Sequence, residues 1–440
     1  MKKIILIFIS LIILLSLDIF SREQNTWSKR GYRYWSFRVQ PYRQTKIFIN
    51  NKRVYPRFIK RNNTIATYRL NLKKYSSKKN FKLTLKKKGY TNYSIRIRTS
   101  NSYHMNQSFP PLFVMPKTHS KMKCIAVYKT GKEPKNAQFI DKNRIILPLL
   151  ADKGADVLNI KTGKRVRLTP PRRYSKHWGY VEAIVIKDRD EIWFSEMTNG
   201  SVHIYNRTTL SYIKTIKTTG KWSKVLLYNP IDKHVYLSHW ISKNVSKIDP
   251  VTRKEVAKFK VFGTPRGMTF SPDYKYLYVA QFGYKKENDM RGGTVKIRMK
   301  DFRFIKRFGK PGSKRHLVYS PKRKLIFLSD MSRARIEVYK ADNEKLIKEI
   351  YVYSKPNTIV LSPDERYLFV SCRGPNSRKG YRFRSRYMGR VYMIDTKTLK
   401  IIEFIEGGNQ PTGLDISKDG RFLVSTDFLD HSVRVIKIRE

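Results

Sequence analysis

VLSPDERYLFVSC, residues 360–372, has three relatives in the same chain: TFSPDYKYLYVAQ at 269–281, LVYSPKRKLIFLSD at 317–330 and DISKDGRFLVSTD at 415–427. Each is an apolar run, a short turn rich in Ser, Pro, Asp or Gly, and a second apolar run. Proline presets a turn dihedral, and Ser and Asp side chains bond the nearby backbone. Such a stretch between two apolar runs therefore reads as a β-hairpin.

Working outward, each second run ends on a small residue followed by an anchor residue, in most units polar. The pairs are Ser195-Glu196, Ser238-His239, Ala280-Gln281, Ser329-Asp330, Ser371-Cys372 and Thr426-Asp427. Successive small residues lie 43, 42, 49, 42 and 55 positions apart. The long steps have visible causes, since insertions follow Gln281 and Cys372. A strand-opening proline, Pro265, Pro356 or Pro411, stands 15 residues before the small residue in three units. After each anchor comes an alternating strand: SVHIYN, NVSKID, TVKIRM, RIEVYK, RVYMID or SVRVIKI. Most units add a fourth, such as YIKTIKT, EVAKFKVFG or IIEFIEGG. A degenerate seventh unit occupies 134–168, with Leu149-Leu150 at the anchor. Four antiparallel strands repeating every 42 or more residues predict an all-β fold, a seven-bladed β-propeller over 121–440. The last unit ends without a fourth strand, and KMKCIAVYK at 121–129 is a spare one. Pairing the two closes the ring and removes its open edges.

Leu277-Tyr278-Val279-Ala280-Gln281, with the strand pair IDTKTLKIIEFI from Ile394 to Ile405, resembles the YVTN family of propeller repeats and the broader lactonase-like seven-bladed propellers. Members typically carry Asn where this chain has Gln281. The resemblance implies the fold and an extracytoplasmic habit, without one fixed activity.

The amino-terminal third is different. Lys2 and Lys3 precede an apolar run from Ile4 to Leu17, and Ser21 offers a cleavage point. Residues 1–21 read as a signal peptide, because the run is short of the roughly 18 residues that span a bilayer. Residues 22–44 mix basic and aromatic residues and read as a linker or arm. Residues 45–98 alternate apolar and polar positions, as at Tyr68, Leu70, Leu72 and at Phe81, Leu83, Leu85, which predicts a small β-sandwich-like module. Its Asn50-Asn51 turn and Lys88-Gly89-Tyr90 resemble the PEGA domain family, whose members imply an adhesive or spacer role in the envelope. Residues 99–120, with Pro110, Pro111 and Pro116, read as a linker.

Charge narrows the partners. Ninety-three Lys and Arg against 33 Asp and Glu give a formal net charge of +60. Such a field favours anionic partners. For an exported chain these are envelope glycans, lipopolysaccharide, wall polymers, host sulfated glycans or an acidic protein, and membrane-surface association is compatible with it. Export argues against nucleic acid as the physiological partner. The two cysteines, Cys124 and Cys372, are too few for a disulfide framework.

Two candidate sites follow. In a propeller the loop after the second strand opens on the face that carries the channel mouth. The anchors Glu196, His239, Gln281, Asp330, Cys372 and Asp427 are therefore expected to ring that mouth. The same face receives the insertions 282–293 and 373–390. The second, RGPNSRKGYRFRSRYMGR, holds Arg373, Arg378, Lys379, Arg382, Arg384, Arg386 and Arg390, interleaved with Tyr381, Phe383 and Tyr387, and no acid. Guanidinium forks grip phosphate, sulfate or carboxylate in pairs of hydrogen bonds, and rings give sugars a platform. The rival expectation is a lactonase-type hydrolase using Glu196, His239 and Asp330, with His316 close by. No Ser-His-Asp arrangement, phosphate-cradling glycine loop or nicotinamide or flavin fingerprint accompanies it. No catalytic, cofactor or metal-ligating residue is assigned, and binding is the expected function.

Overall fold

A computed structural model describes residues 34–40, 45–49, 52–62, 65–71, 80–86, 93–98, 112–114, 120–171, 179–283 and 292–439. The signal-peptide reading of 1–21 and most of the insertion 282–293 lie outside these residues. The chain divides into two units, 1–119 and 120–440.

In the first unit, one four-stranded sheet runs Arg57–Asn62, Ile65–Asn71, Tyr34–Gln40, Leu112–Val114. A second runs Lys52–Val54, Lys46–Ile49, Asn80–Lys86, Tyr93–Arg98. The alternation has its expected effect. Ile47 pairs with Leu85 and Ile49 with Leu83, and all four side chains are buried. The reading of 22–44 as an arm and 99–120 as a linker needs correction, because each supplies a strand. Tyr34–Gln40 pairs with Ile65–Asn71 on one side and, in parallel, with Leu112–Val114 on the other. The signal was present in the period-two run Trp35, Phe37, Val39, which basic neighbours obscure.

The second unit is a ring of seven four-stranded antiparallel sheets. Blade 1 holds Gln138–Phe139, Arg144–Pro148, Ala155–Asn159 and Arg165–Leu168. Blades 2 to 7 open with Tyr180–Ile186, Ser223–Asn229, Pro265–Phe270, Lys314–Ser320, Pro356–Leu361 and Pro411–Ile416. These first strands lie beside one another around the axis, so they line the channel. Blade 7 takes its fourth strand from Met122–Lys129, which runs antiparallel to Ser432–Ile438 from Lys129 opposite Ser432 to Met122 opposite Ile438. The apolar core sits between blades. Ile145, Leu147 and Leu158 of blade 1, for example, pack with Val424, Val433 and Val435 of blade 7 across the closure.

The hairpin motif forms as its residues dictate. Ser362 Oγ donates to Asp364 Oδ1 at 2.6 Å and accepts from Tyr367 N at 3.0 Å, closing the turn between the first two strands of blade 6. The same bonds recur around Ser271 and Ser417. Glu365 stands at φ 59° where the turn of blade 7 has Gly420 at 71°, so only the latter turn meets its left-handed step with glycine.

The recurring serine at the end of the second strand is a stitch between blades. Ser371 Oγ accepts from Thr358 N of its own blade at 3.1 Å and donates to Thr412 O of the next at 3.0 Å. Ser195, Ser238 and Ser329 do the same towards Lys224 O, Arg266 O and Asn357 O. Each buried pair of bonds contributes on the order of 1–3 kcal/mol. Where blade 4 has Ala280 instead, Gly267 lets the blades close. A Cβ there would meet Arg315 O of blade 5 at 2.9 Å.

The amide that the serine accepts from belongs to a bulge. In blades 2 to 7 the first strand carries one extra residue just after its opening position, as between Ser223 and Leu226 opposite His239 and Leu237. A bulge re-aims side chains locally. Here it brings consecutive residues of several inner strands, such as Arg315 and His316, to the channel.

Candidate functional site: a basic channel mouth rimmed by aromatics

The channel at the level of the bulges is lined by Lys135, Glu182, Arg266, Arg315, His316 and Asn357, with Val225, Thr358 and Thr412. These side chains nearly fill it, leaving a cavity of about 10 Å3, room for roughly one water. Lys224 and Arg373 join the same electrostatic cluster, because both act on Lys135. Lys135, Lys224, Arg266, Arg315 and Arg373 are each more than nine-tenths buried. They come from five different blades or blade entrances. Against them stands Glu182, which accepts a bond from Asn136 Nδ2. Glu133 lies at the rim and pairs with Arg382 at 3.3 Å.

Burial and then the neighbouring cations, Arg373 first, hold Lys135 well below the usual lysine range. Burial, with Arg266 and Arg315 next, does the same to Lys224. Burial brings Arg373 down to about 10. Glu182 is pushed up by burial, opposed by Arg266 and Lys135. Burial and the same arginines hold His316 at about 4, so its imidazole is neutral at physiological pH. Arg315 Nε donates to Asn357 Oδ1 and Arg373 Nη2 to Gln410 Oε1, both neutral oxygens. Lys135, Lys224 and Arg373 have no ion-pair partner among the described residues.

Aromatic rings cover the cations. The Lys224 ammonium lies 5.3 Å from the Trp222 ring centre and 5.4 Å from that of Trp240, and Arg266 also stacks on Trp240. Lys135 sits 4.6 Å over Phe428, Arg373 over Phe428 and Tyr381, and Arg315 over Phe282. Each such contact contributes about 0.5–2 kcal/mol.

The six anchors are placed otherwise than as a ring around the mouth. Each is buried inside its own blade. Glu196 faces His203 Nε2 at 3.5 Å and accepts from Thr198. His239 bonds Ser223 Oγ at 3.2 Å and Ser246 Oγ at 2.7 Å, and burial lowers it to about 4. Asp330 pairs with Lys314 at 2.9 Å. Asp427 pairs with Arg434 at 2.7 Å and accepts from Gly408 N, while burial pushes it up to about 6. Cys372 is a free buried thiol pushed up by burial, and Cys124 is also free. Neither amide atom of Gln281 has a hydrogen-bond partner among the described residues. Glu196, His239 and Asp330, the residues of the hydrolase reading, are thus held by separate blades. Among the described residues no three His, Cys, Asp or Glu side chains cluster to hold a metal ion. The mouth is built one position further on, by Trp240, Phe282, Arg373 and Phe428, because side chains alternate along a strand. The remaining cations follow the strand-opening position. Aligning the repeats there shows Lys135, Lys224, Arg266 and Arg315 in register, a signal available in the sequence.

The 373–390 insertion is docked on the mouth. Gln410 Nε2 donates to Tyr381 O at 2.6 Å, Ser385 N donates to Asn409 Oδ1 at 2.9 Å, and Arg384 pairs with Asp430 at 2.6 Å. Arg378, Lys379, Arg382, Phe383, Arg384 and Arg386 are exposed, as is Tyr381, and Tyr387 is half-buried. Arg373 enters the channel. Arg390 does not join either group: it is buried in blade 6 with its guanidinium 4.3 Å over both Tyr353 and Phe404.

Fold and site together define a seven-bladed β-propeller protein with a basic, aromatic-rimmed channel mouth. The likeness to a solved structure of hydrazine synthase from Kuenenia stuttgartiensis shows the fold alone: 16% identity and a TM-score of 0.59, over 70% of this chain and 97% of that one. No protein-family model matches. The chain is 42% identical to antigen Lp49 of Leptospira interrogans (serogroup Icterohaemorrhagiae, serovar copenhageni) over 410 residues, 93% of this chain and 89% of that one. It belongs to the antigen Lp49 family.

Proposed function

We propose that the chain is an exported cell-envelope binding or scaffold protein whose propeller top face engages an anionic partner: an envelope glycan, a wall polymer or an acidic protein surface. The observation that carries the reading is the convergence of Lys135, Lys224, Arg266, Arg315 and Arg373 on one mouth, outnumbering the acids Glu182 and Glu133 beside them. The docked 373–390 loop extends that mouth with exposed Lys379, Arg382, Arg384 and Arg386. Membership of a family named for an antigen supports exposure outside the cytoplasm, as do the signal-peptide reading of 1–21 and the likeness of the repeats to the YVTN type. The first unit is read as a PEGA-like spacer that presents the propeller.

Retention of the mature protein on a sulfated polysaccharide tests this. A double variant, Lys379→Gln and Arg386→Gln, removes exposed charge without touching the bonds that dock the loop through Tyr381, Arg384 and Ser385. It is expected to bind about tenfold more weakly, a difference of about 1.4 kcal/mol, and both proteins are expected to elute as salt rises. Equal affinity of variant and parent would reject the loop as the contact surface.

A further inference from the structure

We infer that the channel mouth is a site for one compact oxyanion of phosphate or sulfate size, free or as the terminal group of a larger ligand, held by Arg266, Arg315 and Arg373 with Lys135 and Lys224 closing over it. This rests on the top-face reading above and names the chemistry at its centre.

The argument begins with charge. Three guanidiniums and two ammoniums converge with Glu182 in a space walled by protein, while Glu133, which acts on Arg373, is paired with Arg382 at 3.3 Å. Buried like charges are costly unless an opposite charge completes the group. Arg373 donates to the amide oxygen of Gln410, which orients a guanidinium without neutralising it. Arg373 keeps its Nε without a hydrogen-bond partner among the described residues, although the side chain is 5% exposed.

The shape of the ligand follows from the same groups. Guanidinium forks converging from different blades suit a tetrahedral group, whose oxygens point several ways.

Geometry supplies the movement. The cavity of about 10 Å3 is smaller than a sulfate, so something must yield. The two lysines are the groups able to do so. Each is a flexible chain whose ammonium rests on a ring, Lys135 on Phe428 and Lys224 on Trp222 and Trp240. An anion between the arginines draws both ammoniums off the rings. Two of the chain's six tryptophans therefore report the event.

The test is tryptophan fluorescence of the full chain, titrated with sodium sulfate, inorganic phosphate and glucose 1-phosphate, each against sodium chloride at matched ionic strength. The oxyanions are expected to give a saturable change that chloride does not. Tighter binding of the sugar phosphate than of inorganic phosphate assigns the site to a ligand terminus, and the reverse order assigns it to the free ion. Lys224→Met and Arg315→Gln are each expected to raise the sulfate midpoint at least tenfold, while Lys322→Gln on an exposed turn leaves it unchanged. If Arg315→Gln does not fold, Lys224→Met decides, since among the described residues that lysine has ring contacts and no ion pair to lose. A response that chloride reproduces, or variant midpoints equal to the parent's, would overturn the proposal. Lost polysaccharide retention with an intact sulfate titration sinks only the loop as a partner surface. Intact retention with no titration sinks only the channel site.

Discussion

A chain lacking residues 121–129 is expected to lose the folded propeller. Met122–Lys129 pairs along its whole length with Ser432–Ile438, and Thr130 N and Arg439 N bond across the two ends of the seam. Removing the strand forfeits about one backbone hydrogen bond per residue, each contributing roughly 0.5–1.5 kcal/mol. It also uncovers Met122's contacts with Leu414, Leu423 and Ile436. The loss is comparable to the whole stability of a domain, about 5–15 kcal/mol, and leaves an open apolar edge that invites aggregation. The prediction has a sharper half. The strand runs antiparallel to Ser432–Ile438, with Met122 opposite Ile438. Appending residues 121–129 after Arg439 through a two- or three-residue turn forms an ordinary hairpin in the same register and should restore a soluble, cooperatively unfolding protein. Soluble folding of the truncated chain, or failure of the appended strand to rescue it, would contradict the closure described here.

Lys314→Met is expected to cost about 3–5 kcal/mol. Lys314 Nζ lies 2.9 Å from Asp330 and 2.7 Å from Glu337, with all three side chains fully buried. Arg335 bonds Glu337 at 2.5 Å and Glu349 at 2.7 Å, and Tyr339 donates to Glu337. Removing the lysine leaves two carboxylates to share Arg335, and the uncompensated charge, more than the lost attraction, sets the penalty. Pairing Lys314→Met with Glu337→Gln should therefore recover part of the loss, which a double-mutant cycle in denaturant would show as a coupling of at least about 1 kcal/mol. Additive losses would mean that the network does not act as a unit. The result also bears on function, because Asp330 at an anchor position would then be a structural residue of blade 5.

The fold was legible because it is written many times. A Ser-Pro-Asp turn, a run ending in a small residue and a further alternating strand recur in register, and even the spare strand at 121–129 could be placed by counting. The site was only half legible. The small-polar pair at the end of each second strand is prominent because it repeats, and it repeats because it holds blades together. Ser371 stitches blade 6 to blade 7, Asp330 pairs with the buried Lys314, and Asp427 pairs with the half-buried Arg434. The channel is faced by the next residue, Trp240, Phe282, Arg373 or Phe428, and by the bulged openings of the inner strands. A bulge puts consecutive residues on one side, which period-two reading cannot anticipate. The Arg/Tyr insertion was correctly set apart as a group. Its members nevertheless divide in the fold: Arg373 enters the channel, Arg390 stacks inside blade 6, and Arg382 and Arg384 pair with Glu133 and Asp430.

The central claim is that the top face reads an anion. Amide hydrogen exchange of the full chain with and without a sulfated oligosaccharide tests it most directly. Protection is predicted in 374–389 and in the segments entering the inner strands of blades 3 to 5, around Trp222, Thr264 and Ser313. The turns at the opposite ends of the same strands, 230–233, 271–275 and 321–324, should exchange as before. Protection centred on those turns, or spread evenly over a surface carrying +60, would contradict the account.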